Sequence, residues 1–370
     1  MVGRPFVQSG APLLATLRPV AMRPTLRDVA TAAGVHPATA SRALNEATRT
    51  LVRPATVERV REVADRLGYQ VNPIARSLKT SRSQTVGILV PDLTNPLFPP
   101  ILRGVEDVLA AQGYTALTSN TDNDPRRTAA SLAALEARQV DGFIIMTARL
   151  TDPLLHGAAA RDVPMVLVNR LTDGLVVSSV TGDDANGIAR VVDHLVELGH
   201  ERIGHLAGPL STSTGVVRLR AFQSALQRHG LSTDAVVACE VFGEAEGHAA
   251  SLRLLDEHAP TAVVAANDLL AMGCYDALED RGLACPVDVS VVGFNDMPFV
   301  GRLSPPLTSV RVPQHEVGME AARLLIDQLS GRIATPRSVL LPVTLAVRGS
   351  TAPPRGARPR PRRRAASRTA

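Results

Sequence analysis

TLRDVATAAGVHPATASRALN, residues 25–45, sets two short helical patterns on either side of a glycine. Leu26, Val29, Ala30 and Ala33 fall on one face of a first helix. Gly34 is a natural stop for it, because glycine accepts the left-handed backbone that ends helices. A second helix is predicted from Pro37 to about Leu44; proline suits the first helical position, where its missing N–H is not needed. A third begins near Pro54, puts Val57, Val60, Ala64 and Leu67 on one face, and stops at Gly68. Three short helices with a tight, glycine-containing first turn are the pattern of a helix-turn-helix unit. The head of the chain, residues 23–71, is therefore expected to be all-α.

Downstream, YQVNPIARSLKT (residues 69–80) offers Asn72-Pro73 as the cap of a helix of about two turns, and residues 72–83 read as a short helix and polar linker. From Thr85 the pattern changes. Apolar runs (TVGILVP, TALTS, GFIIM, PMVLVN, LVVSSV, RIGHLAG, AVVAAN, SVVGFN) alternate with amphipathic stretches at 101–111, 128–138, 188–198, 219–229 and 269–279. Short buried strands alternating with helices imply parallel sheets covered on both faces. So many strands divide better into two subdomains, about 84–182 plus 312–340 and about 183–311 plus 341–350. Ligands of such folds bind beyond the carboxyl ends of the strands, which makes the cleft between the subdomains the expected pocket. Residues 1–22 read as a disordered leader; their apolar stretch, 11–22, is short and interrupted by Arg18, and Met22 is an alternative start. Residues 351–370, TAPPRGARPRPRRRAASRTA, cannot form a core and are expected to be disordered.

Composition narrows the function. A chain of 370 residues exceeds a usual single domain. With 7 Phe, 3 Tyr and no Trp, its cores must be aliphatic. Cys239, Cys274 and Cys285 have neither a disulfide framework nor metal-ligand spacing and read as buried thiols in a reducing compartment. No apolar stretch approaches a bilayer span, so a cytoplasmic protein without a membrane partner is expected. Residues 1–80 carry 12 basic and 5 acidic side chains, residues 81–350 carry 21 and 30, and the last twenty carry 7 arginines and no acid. A basic head on an acidic body implies that only the head meets a polyanion. The arginine tail is either a non-specific phosphate clamp or a solvated extension without a role.

Residues 25–45 resemble, over their whole length, the signature of the LacI/GalR family of bacterial repressors (the lactose-repressor type). The resemblance rests on an ordered set: TLRDVA on the first helix, AGV in the turn, TASRALN on the second, then LGY and NPIARSLKT. It implies a homodimer on a palindromic double-stranded operator, with the second helix in the major groove. His36, Pro37, Ala38 and Thr39 would then meet base edges, with Ser41, Arg42 and Asn45 further along. Arg42 is the best reader of guanine, Thr25, Thr39 and Ser41 carry hydroxyls for phosphate or base edges, and Pro37 and Ala38 stand where the family's operator specificity largely resides. Two departures are His36, where the family usually has Ser or Thr, and Ala40, where it usually has Val. His36 would cap the second helix less well or contact a phosphate, and Ala40 thins the packing. Residues 72–79 resemble the family's hinge helix, with Leu78 as an apolar wedge in the minor groove and Arg76 and Lys79 near phosphates; spacing alone favours an ordinary amphipathic linker, and immediate attachment to the helix-turn-helix tips the balance to the hinge. No leucine heptad of the kind that makes family members tetramers is present.

The resemblance extends to a periplasmic-binding-protein-like body that binds an allosteric effector: a sugar or sugar derivative first, a purine or nucleoside second. It implies ligand contacts from Asp92, Asn95 and Phe98 in PDLTNPLF, from Thr214 and Arg218, from Asn267, and from Asn295, where the family more often has Asp; Asn169, beside Arg170, and Phe242 are weaker candidates. Asn, Asp and Arg supply directional bonds to hydroxyls, while an aromatic covers an apolar face. For Asp268, a helix-capping role competes with ligand contact. Two rivals stand beside this reading. A secreted solute-binding protein would need a secretory signal and no basic head. An α/β enzyme fused to such a head would need a nucleotide loop or a nucleophile-base set, and neither GxGxxG after a strand nor GxxxxGK occurs. No catalytic residue, cofactor or metal ligand is assigned; His200 and His205, five apart around a strand start, lack helical metal spacing.

Overall fold

The computed structural model describes residues 24–45, 48–69 and 82–355. They belong to two compact units, Met1–Ser81 and Arg82–Ala370. Arg76, Leu78 and Lys79 of the expected hinge lie outside the described residues.

The first unit holds α1 (Leu26–Ala32), α2 (Pro37–Leu44), a 3-10 turn (Arg49–Leu51) and α3 (Pro54–Leu67). Thr25 and Asp28 form a reciprocal capping box at the start of α1. At its end Gly34 has φ +62°, so that Gly34 N–H donates to Thr31 O and Val35 N–H to Ala30 O. The core is Val29, Ala30, Ala33, Ala40, Ala43, Val60, Val63 and Ala64; its many alanines let three short helices approach closely. Leu67 departs from the predicted face, being 38% exposed while Val63 is buried. The Gly68 turn explains the exchange: it folds the chain back so that Tyr69 N–H donates to Ala64 O and the Tyr69 ring packs on the core instead.

The second unit contains two six-stranded sheets. The first has β1 (Thr85–Val90), β2 (Thr115–Asn120), β3 (Gly142–Ile145), β4 (Met165–Val168), β5 (Ser178–Gly182) and β11 (Ser338–Leu341), in the order β11-β5-β4-β3-β1-β2 and all parallel. The second has β6 (Ile203–Ala207), β7 (Val236–Ala238), β8 (Ala262–Ala265), β9 (Ser290–Asn295), β10 (Thr308–Arg311) and β12 (Thr344–Ala346), in the order β12-β10-β9-β8-β6-β7, with only β12 antiparallel. The helices are α4 (Phe98–Ala111), α5 (Pro125–Ala137), α6 (Pro153–Ala159), α7 (Asp184–Glu197), α8 (Ser213–Arg228), α9 (Glu244–His258), α10 (Asp268–Asp280) and α11 (Gln314–Leu329). The chain passes between the sheets three times: after β5, after β10 and after β11. The LVVSSV run enters its strand late, because pairing with β4 begins at Ser178, and Val176 stays 81% exposed in the preceding loop.

Each sheet is backed by a helix pair packed through glycine. A Cβ on Gly104 of α4 would lie 2.0 Å from His315 O, and one on Gly318 of α11 1.9 Å from Ile101 O. In the second subdomain, a Cβ on Gly247 of α9 would meet Leu270 O at 2.6 Å, and one on Gly273 of α10 would meet Glu244 O at 2.1 Å. Only glycine allows backbone to touch backbone this closely. Segments beyond the carboxyl ends of the two sheets meet through two hydrogen bonds. Leu150 N–H, beyond β3, donates to Ser211 O, and Leu171 N–H, beyond β4, donates to Ser213 Oγ, both acceptors lying beyond β6.

Candidate nucleic-acid interface and ligand cleft

On the first unit, α2 divides its residues cleanly. Ala40 and Ala43 are fully buried, His36, Ala38, Arg42 and Asn45 are exposed, and Pro37, Thr39 and Ser41 are half-buried. His36 caps the helix in place of a hydroxyl: its Nδ1 accepts from Ala38 N–H at 3.3 Å. Arg42 projects its guanidinium from the exposed face while its carbonyl accepts from Thr48 Oγ1. Thr25 has its hydroxyl engaged at home, accepting from Asp28 N–H and donating to Asp28 Oδ2 at 2.8 Å. Thr25 N–H, first, and then the Thr25 hydroxyl donate to Asp28 Oδ2 and hold its carboxyl below its usual range. The unit therefore offers one solvent-facing helix with a cation, amide and hydroxyl groups and an imidazole edge.

In the second unit the sequence-predicted ligands gather at the strand ends, but not all face the same task. Arg218, on α8, is 2% exposed. Its Nε donates to Asp184 Oδ2 at 2.8 Å, its Nη1 donates to Ala266 O at 2.6 Å, and its guanidinium lies over the Phe294 ring, 3.8 Å from the centroid. Asp184 was not among the expected site residues; burial pushes its carboxyl up and Arg218 opposes the shift. Thr214 is buried with its hydroxyl 3.3 Å from that of Thr212. Asn295 ends β9 at φ +106°, its carbonyl accepts from Gln314 Nε2 at 2.8 Å, and its buried side-chain Oδ1 has no partner. Asn295 thus combines a positive φ with a buried, unpartnered acceptor at a strand end.

Asn267 takes the capping role considered for Asp268, and Asp268 takes neither of the roles considered for it. The α10 cap is Asn267, whose Oδ1 accepts from Leu270 N–H at 2.9 Å. Asp268, fully buried, accepts from Met297 N–H at 2.7 Å and from Ser309 Oγ at 2.6 Å, pinning the β9 end to β10. Burial pushes its carboxyl up to about 7 despite those bonds. The neighbouring Asp296 is ion-paired with Arg311 at 2.6 Å and with Arg348 at 2.6 Å.

On the opposite wall, Asp92 and Asn95 form local turns. Asp92 Oδ1 accepts from Thr94 N–H at 2.8 Å and from the Thr94 hydroxyl at 2.7 Å, and Asn95 Oδ1 accepts from Leu97 N–H at 3.0 Å. Phe98 is packed into the core as the first residue of α4. Asn169 follows β4 in the left-handed region at φ +65°. Arg170 is buried, with Nη1 donating to Asn123 Oδ1 at 2.8 Å and its Cζ 6.0 Å from the centroid of the Phe242 ring. That ring packs against Gly208, where a Cβ would stand 2.4 Å from its Cε1. Thr147, two residues past the end of β3, has its buried hydroxyl unpartnered.

The histidines do structural work. His205 stacks on Phe222 at 4.6 Å and bonds Val264 O through Nδ1 at 2.7 Å; burial pushes it down to about 4. His200 bridges Thr261 and Ala352 and is likewise pushed down to about 4 by burial. Burial pushes the Cys239 and Cys274 thiols up to about 12. Among the described residues no group of three or more His, Cys, Asp or Glu is arranged to hold a metal ion, and no helix is long and apolar enough to cross a membrane.

Residues 25–72 match the bacterial regulatory proteins of the lacI family, and residues 192–351 match a periplasmic binding protein-like domain. The chain is 33% identical over 329 residues to the HTH-type transcriptional repressor CytR of Escherichia coli (strain K12), covering 88% of this chain and 96% of that protein. Among solved structures, the lac repressor dimer bound to operator and the anti-inducer ONPF superposes with a TM-score of 0.80 at 29% identity, over 89% of this chain and 99% of that one. The complex of the transcriptional regulator CelR with cellobiose gives 0.68 at 32% identity, over 89% and 100%.

Proposed function

Because the chain belongs to the lacI family of bacterial regulatory proteins, we propose that it is a cytoplasmic, homodimeric transcriptional repressor without enzymatic activity. It reads a palindromic operator with residues 23–71, and its grip is set by a small molecule held in the cleft of residues 84–350. The observation that carries this reading is α2, whose buried alanines turn a polar, basic face outward on a self-contained unit ahead of a two-sheet body. Arg42 is assigned to guanine, with His36, Pro37, Ala38, Thr39, Ser41 and Asn45 beside it. Thr25 is reassigned from phosphate contact to holding α1 through its cap. Residues 72–83, including Arg76 and Leu78, are assigned to a hinge that inserts in the minor groove.

In the body, Arg218, Asn295, Thr214, Asn169 and Phe242 are assigned to the effector, with Gln314 orienting the Asn295 backbone. Asn267, Asp92, Asn95 and Phe98 shape the walls by the local bonds and packing described above. A sugar derivative is favoured over a nucleoside, since few aromatic side chains are at hand to sandwich a base. An effector that prefers one closure of the cleft shifts operator affinity by its differential binding to the two states.

The test is fluorescence anisotropy of the purified protein on a palindromic element from its own upstream region, at several salt concentrations, against scrambled DNA. Selective binding is expected, and Arg42→Ala should weaken it by about 1–3 kcal/mol. Equal affinity for both duplexes with a steep salt slope would overturn the reading, since only non-specific phosphate contacts would then be at work.

A further inference from the structure

Two buried arginines enter the cleft, and only one is neutralised. Arg218 rests on Asp184. Arg170 leaves the end of β4 on the other wall, 6% exposed, and spends one N–H on the neutral amide of Asn123. Its buried Nε has no partner. Among the described residues no carboxylate forms an ion pair with it, while the charges it senses are those of Arg218 and Arg149, both positive. Burial and those two neighbours push it down to about 10, which leaves it charged at neutral pH.

The carboxylates of the cleft are committed elsewhere. Asp184 serves Arg218, Asp268 serves Met297 N–H and Ser309, and Asp296 serves Arg311 and Arg348. The residues at the ends of β4 and β9, Asn169 and Asn295, are neutral amides. An ionised group buried without a counter-charge is costly, and the planar fork of arginine matches carboxylate and phosphate oxygens in two parallel bonds. Phe242, which follows β7 of the second sheet, reaches the same guanidinium, its ring centroid 6.0 Å from Cζ.

Resting on the reading of the cleft as an effector site, we infer that the effector is an anion whose carboxylate or phosphate oxygens pair with Arg170. Its class is then a sugar acid or a phosphorylated sugar, and not a neutral sugar or nucleoside. The anion supplies the charge that the cleft lacks. It also draws together the β4 wall, which carries Arg170, and the β7 wall, which carries Phe242.

The test measures binding to the full chain by thermal shift and calorimetry at constant ionic strength, with inorganic phosphate, glucose 6-phosphate and glucuronate as probes and glucose as the neutral control. At least one anion should bind saturably and roughly tenfold or more tightly than glucose. Arg170→Gln should remove about tenfold to a hundredfold of that affinity, and Arg170→Lys should restore part of it. The phosphate and carboxylate arms distinguish the two sources of charge. Equal anion affinity in wild type and Arg170→Gln, the absence of saturable anion binding, or glucose binding as tightly as the acids would overturn the inference. Should Arg170→Gln not fold, Asn295→Asp adds a negative charge to the cleft and must weaken anion binding; unchanged affinity would count equally against it. The two readings fail separately. Arg170-dependent anion binding that leaves operator affinity unmoved retires the effector site but keeps the anion site. Operator release by glucose, equal in wild type and Arg170→Gln, does the reverse.

Discussion

The two walls of the cleft are built from the same kind of strand end, yet they treat their polar groups in opposite ways. On the second sheet, Arg218 bonds a carboxylate and a carbonyl and lies on an aromatic face, and Asp268 accepts from a backbone N–H and a hydroxyl. On the first, Arg170 bonds a single amide oxygen, and the Thr147 hydroxyl bonds nothing. Satisfied buried networks hold one geometry, whereas unsatisfied ones hold a cost that a ligand can relieve. The second wall is thus a template, and the first is where binding energy is left to be gained. Asn295 Oδ1 at the end of β9 and His205 Nε2 within β6 are among the exceptions on the template side.

The comparison is broken most directly at Arg218. Arg218→Met leaves the Asp184 carboxylate buried without its partner and Ala266 O without its donor. Denaturant unfolding should show a loss of about 3–5 kcal/mol. A loss under 1 kcal/mol would mean that the second wall is no more committed than the first.

The next effect is a pH dependence on the same wall. Asp268 is raised to about 7 in the fold from an ordinary value of 3.8. Its ionised form is disfavoured by folding, so it lowers stability above pH 7 and gives that stability back as the pH falls from 7 towards 3.8. His205, lowered to about 4 from 6.5, has the opposite sign: its contribution is complete above pH 6.5 and is lost as the pH falls towards 4. Asp268→Asn should therefore lose about 2–3 kcal/mol relative to wild type between pH 7.5 and pH 5. His205→Gln should gain relative to wild type over the lower part of that range. Parallel pH profiles for all three proteins would remove the charge asymmetry from the account.

How much of this was readable in the chain depends on whether the deciding contact is local. Gly34, Thr25 and the alanines of α2 act within a few residues, so the head is legible down to its caps; only Leu67 misled, because Tyr69 returns across the Gly68 turn. The apolar runs found β1, β3, β4, β8 and β9, whose side chains are buried on both faces. They missed β7, β11 and β12, which are short and partly exposed, and β10, which is buried but whose TSVR sequence is not an apolar run. Arg218 sits inside α8 and is legible only through the family resemblance, whereas Asn295 stands out because it ends a strand. Asp184 does not, since its GDDANG context reads as a helix cap, which Asp183 in fact supplies, and its partner is 34 residues away. The isolation of Arg170 has no local signature at all. It is defined by the carboxylates that other residues have claimed, and that is a property of the assembled walls.

The smallest expected effect is also the most discriminating, because it compares one hydroxyl on each wall. Ser309 Oγ donates to Asp268 and accepts from Asp296 N–H at 3.1 Å, so Ser309→Ala leaves a buried acceptor and a buried donor unpaired. It should cost about 2 kcal/mol. Thr147 Oγ1 is equally buried but bonds nothing, and valine has nearly the same shape. Thr147→Val should be neutral or gain up to about 1 kcal/mol, because it removes a desolvated hydroxyl without breaking a bond. If Thr147→Val instead costs as much as Ser309→Ala, an ordered water must already satisfy Thr147 in the free protein. The first wall would then have to expel that water to take its ligand, and binding there would gain less than the unpaired groups imply.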